Sequence, residues 1–585
     1  MKKTYFLDIE CYPNYFLILF KDEKGNEISF ELTENSPKLD IAAIKSILAN
    51  NTTVGFNSRF YDIPMIMFAF GNHNNAMLKH LSDKLISDDN FDTISELKLW
   101  PPYEYDHIDL INLAIGKASL KMYGARINTP FLQDLPYDPS TRLSKKEMEV
   151  LKKYCSNDVD ITMSLYNYLK NDIEIRKSIN AEYGVDVRSR SDAQIAEVLI
   201  RDFVRHNIEN KVKEYDFTYN APSYIKFTTE PLKKLFEEIK EIRFKGTDED
   251  KLIKDKALSS ITINEKTYSL GIGGIHSTES NRKIITGNDE YLIDVDVVSY
   301  YPSIILNNRY APECFKESDF IDFYKDIYDQ RIEAKKKGDK TKANVFKIIL
   351  NGSFGKFGNK FSLLYSPKLL IHTTITGQLS LLMLIEELES RGFDVVSSNT
   401  DGITVLMKKN RYEAFFNIVK TWEQITGFTI EETKYKALYN QSVNSYIAVK
   451  SDDSLKCKGI FASDDISRNP AIKICKEAIF AYVTKGISIE YTINKAKLNP
   501  DPTNFLMVRR VTTGGYFKGN YLGKVVRWYW STKGEPITNE KGDKVAGTDD
   551  AWPIMDLKDK IVDLNYDKYI SKTYELLGTI GIKNG

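Results

Sequence analysis

Apolar residues recur along this chain with two spacings: every second residue in short runs, and every third or fourth in longer ones. YFLDIE and YFLILF near the N-terminus read as a strand pair, VGFN as another strand, and the text from Lys145 to Leu169 as a helix, so residues 1–175 are α/β. LKKLFEEIKEIRFKGTDEDKLIKDK, 232–256, is a charged helix followed by a polar connection, the pattern of a domain joint. YLIDVDVV at 291–298 returns to strand, and 319–350 is a basic helical pair broken at Lys337-Gly338-Asp339. A helix over 377–392, GQLSLLMLIEELESRG, leads into VVSSNTDGITVLM at 395–407. That stretch reads as two strands joined by the turn Asn399-Thr400-Asp401-Gly402. From 461 the text is mixed, with a hairpin-like segment rich in aromatic and basic residues at 509–534.

At 585 residues the chain exceeds a single core, and roughly three to five domains are expected. A 42% apolar and 28% charged composition is that of an ordinary folded, soluble protein. The opening MKKTYFLDIE meets Asp8 after a short apolar run, unlike a secretory signal, and no uninterrupted apolar run is long enough to span a bilayer. No membrane partner is therefore expected. The five cysteines (Cys11, Cys155, Cys314, Cys457 and Cys475) form no CxxC, which argues against structural zinc, an iron–sulfur cluster or a disulfide framework and suits a reducing cytoplasm. With 81 basic against 81 acidic residues, any nucleic-acid surface must be local.

The acids carry the chemistry. Asp8 and Glu10 are two apart in an apolar strand and share one face, an arrangement that is costly unless a cation lies between them. The alternative is one acid at a strand end and one in solvent. Asp62 ends VGFNSRFYD, and Asp158 lies on helical text with Tyr154 four residues earlier on the same face. Four acids and a tyrosine suit two metal ions activating a water against a phosphodiester. Asp401 alone is either a polar turn residue or half of a second metal centre.

In order and spacing, these patterns resemble the 3′–5′ proofreading exonuclease of family B DNA polymerases: DIE for its first motif, N-x-x-x-Y-D (Asn57 to Asp62) for its second and Y-x-x-x-D (Tyr154 to Asp158) for its third. The remainder of the chain matches the polymerase motifs of that family. DVVSYYPSII, 296–305, resembles the first. It implies Asp296 as a metal ligand, with the Val297 backbone carbonyl beside it and Tyr301 as the ring beneath the deoxyribose that blocks a 2′-hydroxyl. KIILNGSFGKFG, 347–358, resembles the second, with Lys347, Asn351 and Phe354 on one helix face, Phe354 replacing the usual tyrosine and Gly352 a serine. Arg331 and Lys335 fit the triphosphate-contact pattern upstream. The 395–407 hairpin resembles the third motif, with Asn399 for its first aspartate, Gly402 for its serine, and Asp401 as the retained ligand. GIGGIHS at 271–277 is similar to the loop between exonuclease and palm, and VNSY at 443–446 to the K-x-Y near the primer end. In VNSY, Tyr446 is present and Asn444 replaces the lysine. KCKG supplies Lys456 and Lys458 on the strand that follows.

The resemblance implies an α/β and α+β multidomain protein, an RNase H-like exonuclease domain followed by a right-hand polymerase. The expected division is exonuclease 1–175, linker and first part of palm 176–312, fingers 313–358, second part of palm 359–460 and thumb 461–585. It implies two Mg²⁺ per site, replaceable by Mn²⁺, with Asp8, Glu10, Asp62 and Asp158 as ligands in the first. Primer–template DNA and dNTPs are the implied substrates. The interval from Asn351 to Asp401 is 50 residues, too short for the insertions of protein-primed phage polymerases. A compact phage enzyme of the host cytoplasm is expected, synthesising distributively and using a helicase, single-strand-binding protein or clamp. Rivals are a non-catalytic DNA-binding or scaffolding relative, for which Asn399, Gly402 and Asn444 speak, and an RNA-making enzyme, against which Tyr301 speaks.

Overall fold

Strand β2 (Tyr15–Asp22) is apolar along nearly its whole length and buried on both faces, whereas its antiparallel neighbour β1 (Thr4–Tyr12) gives two positions of one face to Asp8 and Glu10. Tyr5, Leu7, Ile9 and Cys11 pack into the core on the opposite face of β1. These strands belong to a computed structural model that describes residues 2–87, 90–102, 104–208, 211–247, 259–462, 465–470, 472–498 and 500–582. The chain divides into two compact units, Met1–Ser191 with Asp464–Glu477 and Glu490–Ile570, and Asp192–Ser463 with Ala478–Ile489 and Ser571–Gly585. The first unit thus continues past residue 175, and the segment expected as a thumb is shared between both.

In the first unit, β3 (Glu27–Thr33), β4 (Thr52–Gly55) and β5 (His107–Asp109) complete a mixed sheet in the order β3-β2-β1-β4-β5, with β4 and β5 parallel to β1. Three helices bring side chains to the acids: α1 (Asp62–Ala69), α2 (Leu120–Arg126) and α3 (Lys145–Tyr168). Ser144 and Glu147 close a capping box at the start of α3, so the expected start of that helix is fixed locally. The 507–530 hairpin, Met507–Phe517 with Asn520–Trp530, also belongs to this unit. Its Arg527 is fully buried and donates to the carbonyls of Thr129, Pro130, Ile554 and Met555 at 2.7–3.1 Å. Trp528 and Tyr529, in the aromatic and basic segment, are core residues, because that end of the strand is sandwiched in the unit.

The second unit is built on a large antiparallel-rich sheet whose centre runs β11 (Leu455–Lys458), β10 (Ser445–Lys450), β9 (Ile430–Ser442), β6 (Glu290–Val297), β8 (Gly402–Lys408), β7 (Asp394–Asn399). Here α4 (Asp192–Leu199) and α6 (Glu317–Lys336) pack on α7 (Lys340–Phe357), while α5 (Tyr300–Asn307), α8 (Pro367–Ser390) and α9 (Tyr412–Thr426) share the core of the sheet. Ile371, Ile375, Leu379 and Leu382 of α8 lie against Ile293, Val395, Ile403 and Val405 of the sheet. This helix begins ten residues before the expected 377. His372, Thr373, Thr374 and Thr376 interrupt the apolar pattern there, yet all are buried, and Thr373 Oγ1 is satisfied by the Leu369 carbonyl at 2.7 Å. By length and composition α8 could cross a membrane, but polar residues interrupt its apolar run and 89% of its apolar window is buried inside the fold. The helix expected at 232–256 spans Glu230–Glu241, and the polar connection at 248–256 lies outside the described residues.

Candidate functional site

Strands β6 and β8 pair so that Asp296 faces Gly402, and the Val297 amide donates to the Asp401 carbonyl at 2.8 Å. A Cβ at position 402 would stand 2.2 Å from Asp296 Oδ1 and 2.7 Å from the Val295 carbonyl, so glycine is what lets the two acid-bearing segments close up. Asp296, Val297 and Asp401 then line one side of a cleft of about 350 Å³. Arg331 and Lys335, four apart on α6, line it from another side, and Tyr446, Lys456 and Lys458 from β10 and β11. Burial and the neighbouring Asp294 carboxylate push Asp296 up, against the pull of Lys456; burial raises Asp401, against Lys458.

Asp294 was missed by sequence reasoning. It lies two residues before Asp296 in the same strand and is buried, accepting from Thr404 Oγ1 at 2.7 Å, Tyr435 OH at 2.6 Å and Lys456 Nζ at 2.8 Å. Lys456 also donates to Asp296 Oδ2 at 3.0 Å, so one ammonium bridges both acids. The i, i+2 rule that singled out Asp8 and Glu10 applies equally to DVD and would have found it. Arg331 Nη1 donates to Ser299 Oγ at 2.6 Å, where Ser299 caps α5 in the left-handed region (φ 50°). Lys335 pairs with Glu431 at 3.2 Å.

Beyond the cleft lining, Tyr301 of α5 stacks on Phe354 of α7, ring centroids 4.3 Å apart and planes 14° from parallel. Lys347 and Asn351 are exposed on α7, Phe354 half-buried, in the one-face order expected. The two residues that depart from the family pattern, Asn399 and Asn444, meet: Asn399 Nδ2 donates to Asn444 Oδ1 at 3.2 Å and to the Val443 carbonyl at 2.9 Å. The Ile275 carbonyl of the 271–277 loop accepts from the Thr400 amide at 2.8 Å, fixing that loop on the hairpin tip.

The first unit gathers the other acids. Burial raises the pKa of Asp8 and Glu10 from β1, Asp62 from the start of α1 and Asp158 from α3; the charges of Asp62 and Asp158 raise Asp8 and Glu10 further, and Asp109 raises Asp62, to about 7. One Asp62 oxygen is buried without a hydrogen-bond partner, and ligand atoms of Asp8, Glu10 and Cys155 lie within 4.8 Å of one another. The Cys155 thiol is pushed up by burial and donates to Asp8 Oδ2 at 3.8 Å. Tyr154 bonds to Asp158, and Lys121 of α2 sits 3.9 Å over the Tyr154 ring while holding both Asp158 oxygens, at 2.5 and 2.7 Å. Asn57 is exposed in the left-handed region (φ 59°). Its turn is fixed by Asp109, which accepts from the Asn57 and Arg59 amides at 2.8 and 2.9 Å. Lys121 and Asp109 were not anticipated; only the acid inside the apolar run HIDLI hinted at the second.

The molecule therefore holds two carboxylate-centred sites, one in each compact unit. No protein-family model matches the chain. Over 82 residues it is 30% identical to DNA polymerase II of Escherichia coli (strain K12), a stretch that is 14% of this chain and 10% of that protein. A solved structure with a similar fold is the family B DNA polymerase from the hyperthermophilic archaeon Pyrobaculum calidifontis, at a TM-score of 0.43 and 14% identity, covering 100% of this chain and 78% of that one.

Proposed function

We propose that the chain is a DNA-templated DNA polymerase of the family B kind with 3′–5′ proofreading, of the compact type that replicates a phage genome in the host cytoplasm. The observation that carries this reading is the convergence of Asp296 and Asp401 opposite Arg331 and Lys335 across one cleft. Paired acids facing paired cations suit a nucleoside triphosphate, whose negative charge needs neutralising while its reacting phosphorus is held in line. The donor set fits divalent ions: Asp296 and Asp401 are hard oxygen ligands biased towards protonation by burial, a bias that a cation relieves. Two Mg²⁺ bound there, with Mn²⁺ as substitute, supply Lewis acidity towards the primer 3′-hydroxyl and the transferring phosphate.

The protein's own groups do the rest. Arg331 and Lys335 hold the triphosphate, and the Ser299 contact aims the Arg331 guanidinium. Tyr301, backed by Phe354, presents a rigid ring to the sugar. Lys347 and Asn351 face the incoming nucleotide from α7, while Tyr446 and Lys458 steady the primer end and Lys456 keeps Asp294 and Asp296 from repelling one another. In the first unit, Asp8, Glu10, Asp62 and Asp158 form the oxygen set for the proofreading ions, with Tyr154 beside them and Asn57 towards the strand.

Extension of a labelled primer on a template with Mg²⁺, with and without dNTPs, tests both sites. Intact protein is expected to extend with dNTPs and to shorten the primer without them. Asp401→Asn should lose extension alone, and Asp8→Ala with Glu10→Ala should lose shortening alone. Extension that survives Asp401→Asn overturns the polymerase site. A protein that binds primer–template but neither extends nor shortens it is a scaffolding relative.

A further inference from the structure

The aromatic, basic hairpin at 507–530 belongs to the first unit, and its side chains point to a substrate contact there. Its inward face is locked to the first unit by Arg527 and by Val508, which packs with Met122, Ala125 and Leu132. What it leaves free borders a second cleft, of about 190 Å³, lined by Lys121, Leu132 and Asp134 on one side and by Arg510, Lys524 and Val525 on the other. Arg510 and Lys524 are exposed and have no ion pair or hydrogen bond from their side chains among the described residues. Unpaired cations converging on a concavity are a phosphate-binding arrangement. The one acid in the wall, Asp134, is already occupied: it accepts from Tyr521 OH at 2.6 Å and from the Lys524 amide at 3.1 Å through one oxygen, and from the Leu135 amide at 3.0 Å through the other.

Lys121 links the cleft to the acid cluster: it lines the cleft, and its ammonium holds Asp158. The field of Asp134 reaches Asp158 as well. Val525, half-buried in the cleft wall, gives an apolar contact suited to a sugar face, and Tyr521, 48% exposed beside Asp134, offers a ring on which a base can stack. We propose that this cleft is a subsite for the backbone phosphates of a single DNA strand, with Arg510 and Lys524 as positioning residues that feed its 3′ end to Asp8, Glu10, Asp62 and Asp158. The hairpin therefore serves strand hydrolysis in the first unit. The inference rests on the proofreading reading of the acid cluster, but binding at the subsite is measurable without hydrolysis.

The test is an Arg510→Ala/Lys524→Ala variant. Both side chains are exposed and unpartnered, so the fold should survive, which an unchanged melting temperature confirms. In the Asp8→Ala/Glu10→Ala background, fluorescence anisotropy with labelled oligothymidylate should show severalfold weaker binding. The slope of log affinity against log salt should fall in magnitude by about 1.4, two contacts at about 0.7 each. With the acids intact, KM for single-strand degradation should rise while kcat holds, and primer extension should be unchanged. Unaltered oligothymidylate affinity overturns the subsite, as does a loss confined to primer–template binding and extension. If the intact protein degrades nothing, the proofreading reading fails, and the anisotropy result still decides whether the cleft holds a strand.

Discussion

Gly402 stands next to Asp401 where the family pattern has serine, and the space at that position explains the change. With the Val295 backbone carbonyl 2.7 Å and Asp296 Oδ1 2.2 Å from where a Cβ would be, a serine must displace the neighbouring strand's backbone as well as the Asp296 carboxylate. Gly402→Ser should therefore lower primer extension and cost about 1–3 kcal/mol of stability in denaturant titration; a variant as active as the parent would show that the acids need not be this close. Asn399 and Asn444 are a second paired departure. Their hydrogen bond is a neutral amide contact where the pattern would have an aspartate and a lysine, so each replacement makes sense only with the other. Asn399→Asp should leave an active enzyme, and adding Asn444→Lys should recover what the single change loses. The coupling should be about 0.5 kcal/mol in a double-mutant cycle. Strict additivity would mean that the two positions are independent.

Helix α7 shows how one element serves packing on one face and chemistry on another. Gly352, again in place of a serine, has Ala196 Cβ and the Asp192 carbonyl 2.8 Å from where its Cβ would be, so α4 lies directly on α7. The opposite face presents Lys347, Asn351 and Phe354, and Phe354 holds the Tyr301 ring flat. Tyr301→Ala should raise the ratio of ribonucleotide to deoxyribonucleotide incorporation, measured as kcat/KM with each substrate, because the ring beneath C2′ is gone; an unchanged ratio removes Tyr301 from sugar selection. Between Asn351 and Asp401 the chain is occupied by the end of α7, by α8 and by β7, with no further domain. Extension of a primed single-stranded circle under a single-turnover trap should therefore be distributive and stop at a downstream duplex. Multi-circle products would contradict this.

At the scale of the molecule, the acid cluster of the first unit should make stability depend on pH and, if it holds divalent cations as proposed, on those cations together. Asp62 is raised to about 7 by burial and by Asp109, while an unfolded aspartate titrates near 4. Between those values the folded chain binds more protons than the unfolded one, so stability falls as pH rises through this window. Asp8, Glu10 and Asp158 shift in the same direction. The melting temperature in chelator should drop from pH 5 to pH 8. Added Mg²⁺ should recover it at pH 8 and do little at pH 5, where the carboxyls are protonated. Asp62→Asn should flatten the chelator profile; an equally steep one would place the titrating groups elsewhere.

The sequence by itself determined most of the elements near the two sites and which of them carry acids, cations and aromatic rings. The alternation in YLIDVDVV, the turn after Asn399, the capped helix at 145 and the order of the acids are local facts, set by backbone geometry and nearest neighbours. Four-residue spacing likewise put Arg331 with Lys335 and Tyr154 with Asp158. Only the tertiary structure decided which distant groups share space. Lys456 of β11 bridges Asp294 and Asp296 of β6 even though β9 and β10 lie between those two strands in the sheet. Gly352 and Gly402 look like lost hydroxyls in the text and prove to be points of close approach, since a missing side chain records nothing about the atoms that fill its place. The 507–530 hairpin was legible as a hairpin, but not as part of the first unit. Its partners, Thr129 and Pro130, lie nearly four hundred residues away in the chain, and no local pattern encodes a buried arginine's choice of carbonyls.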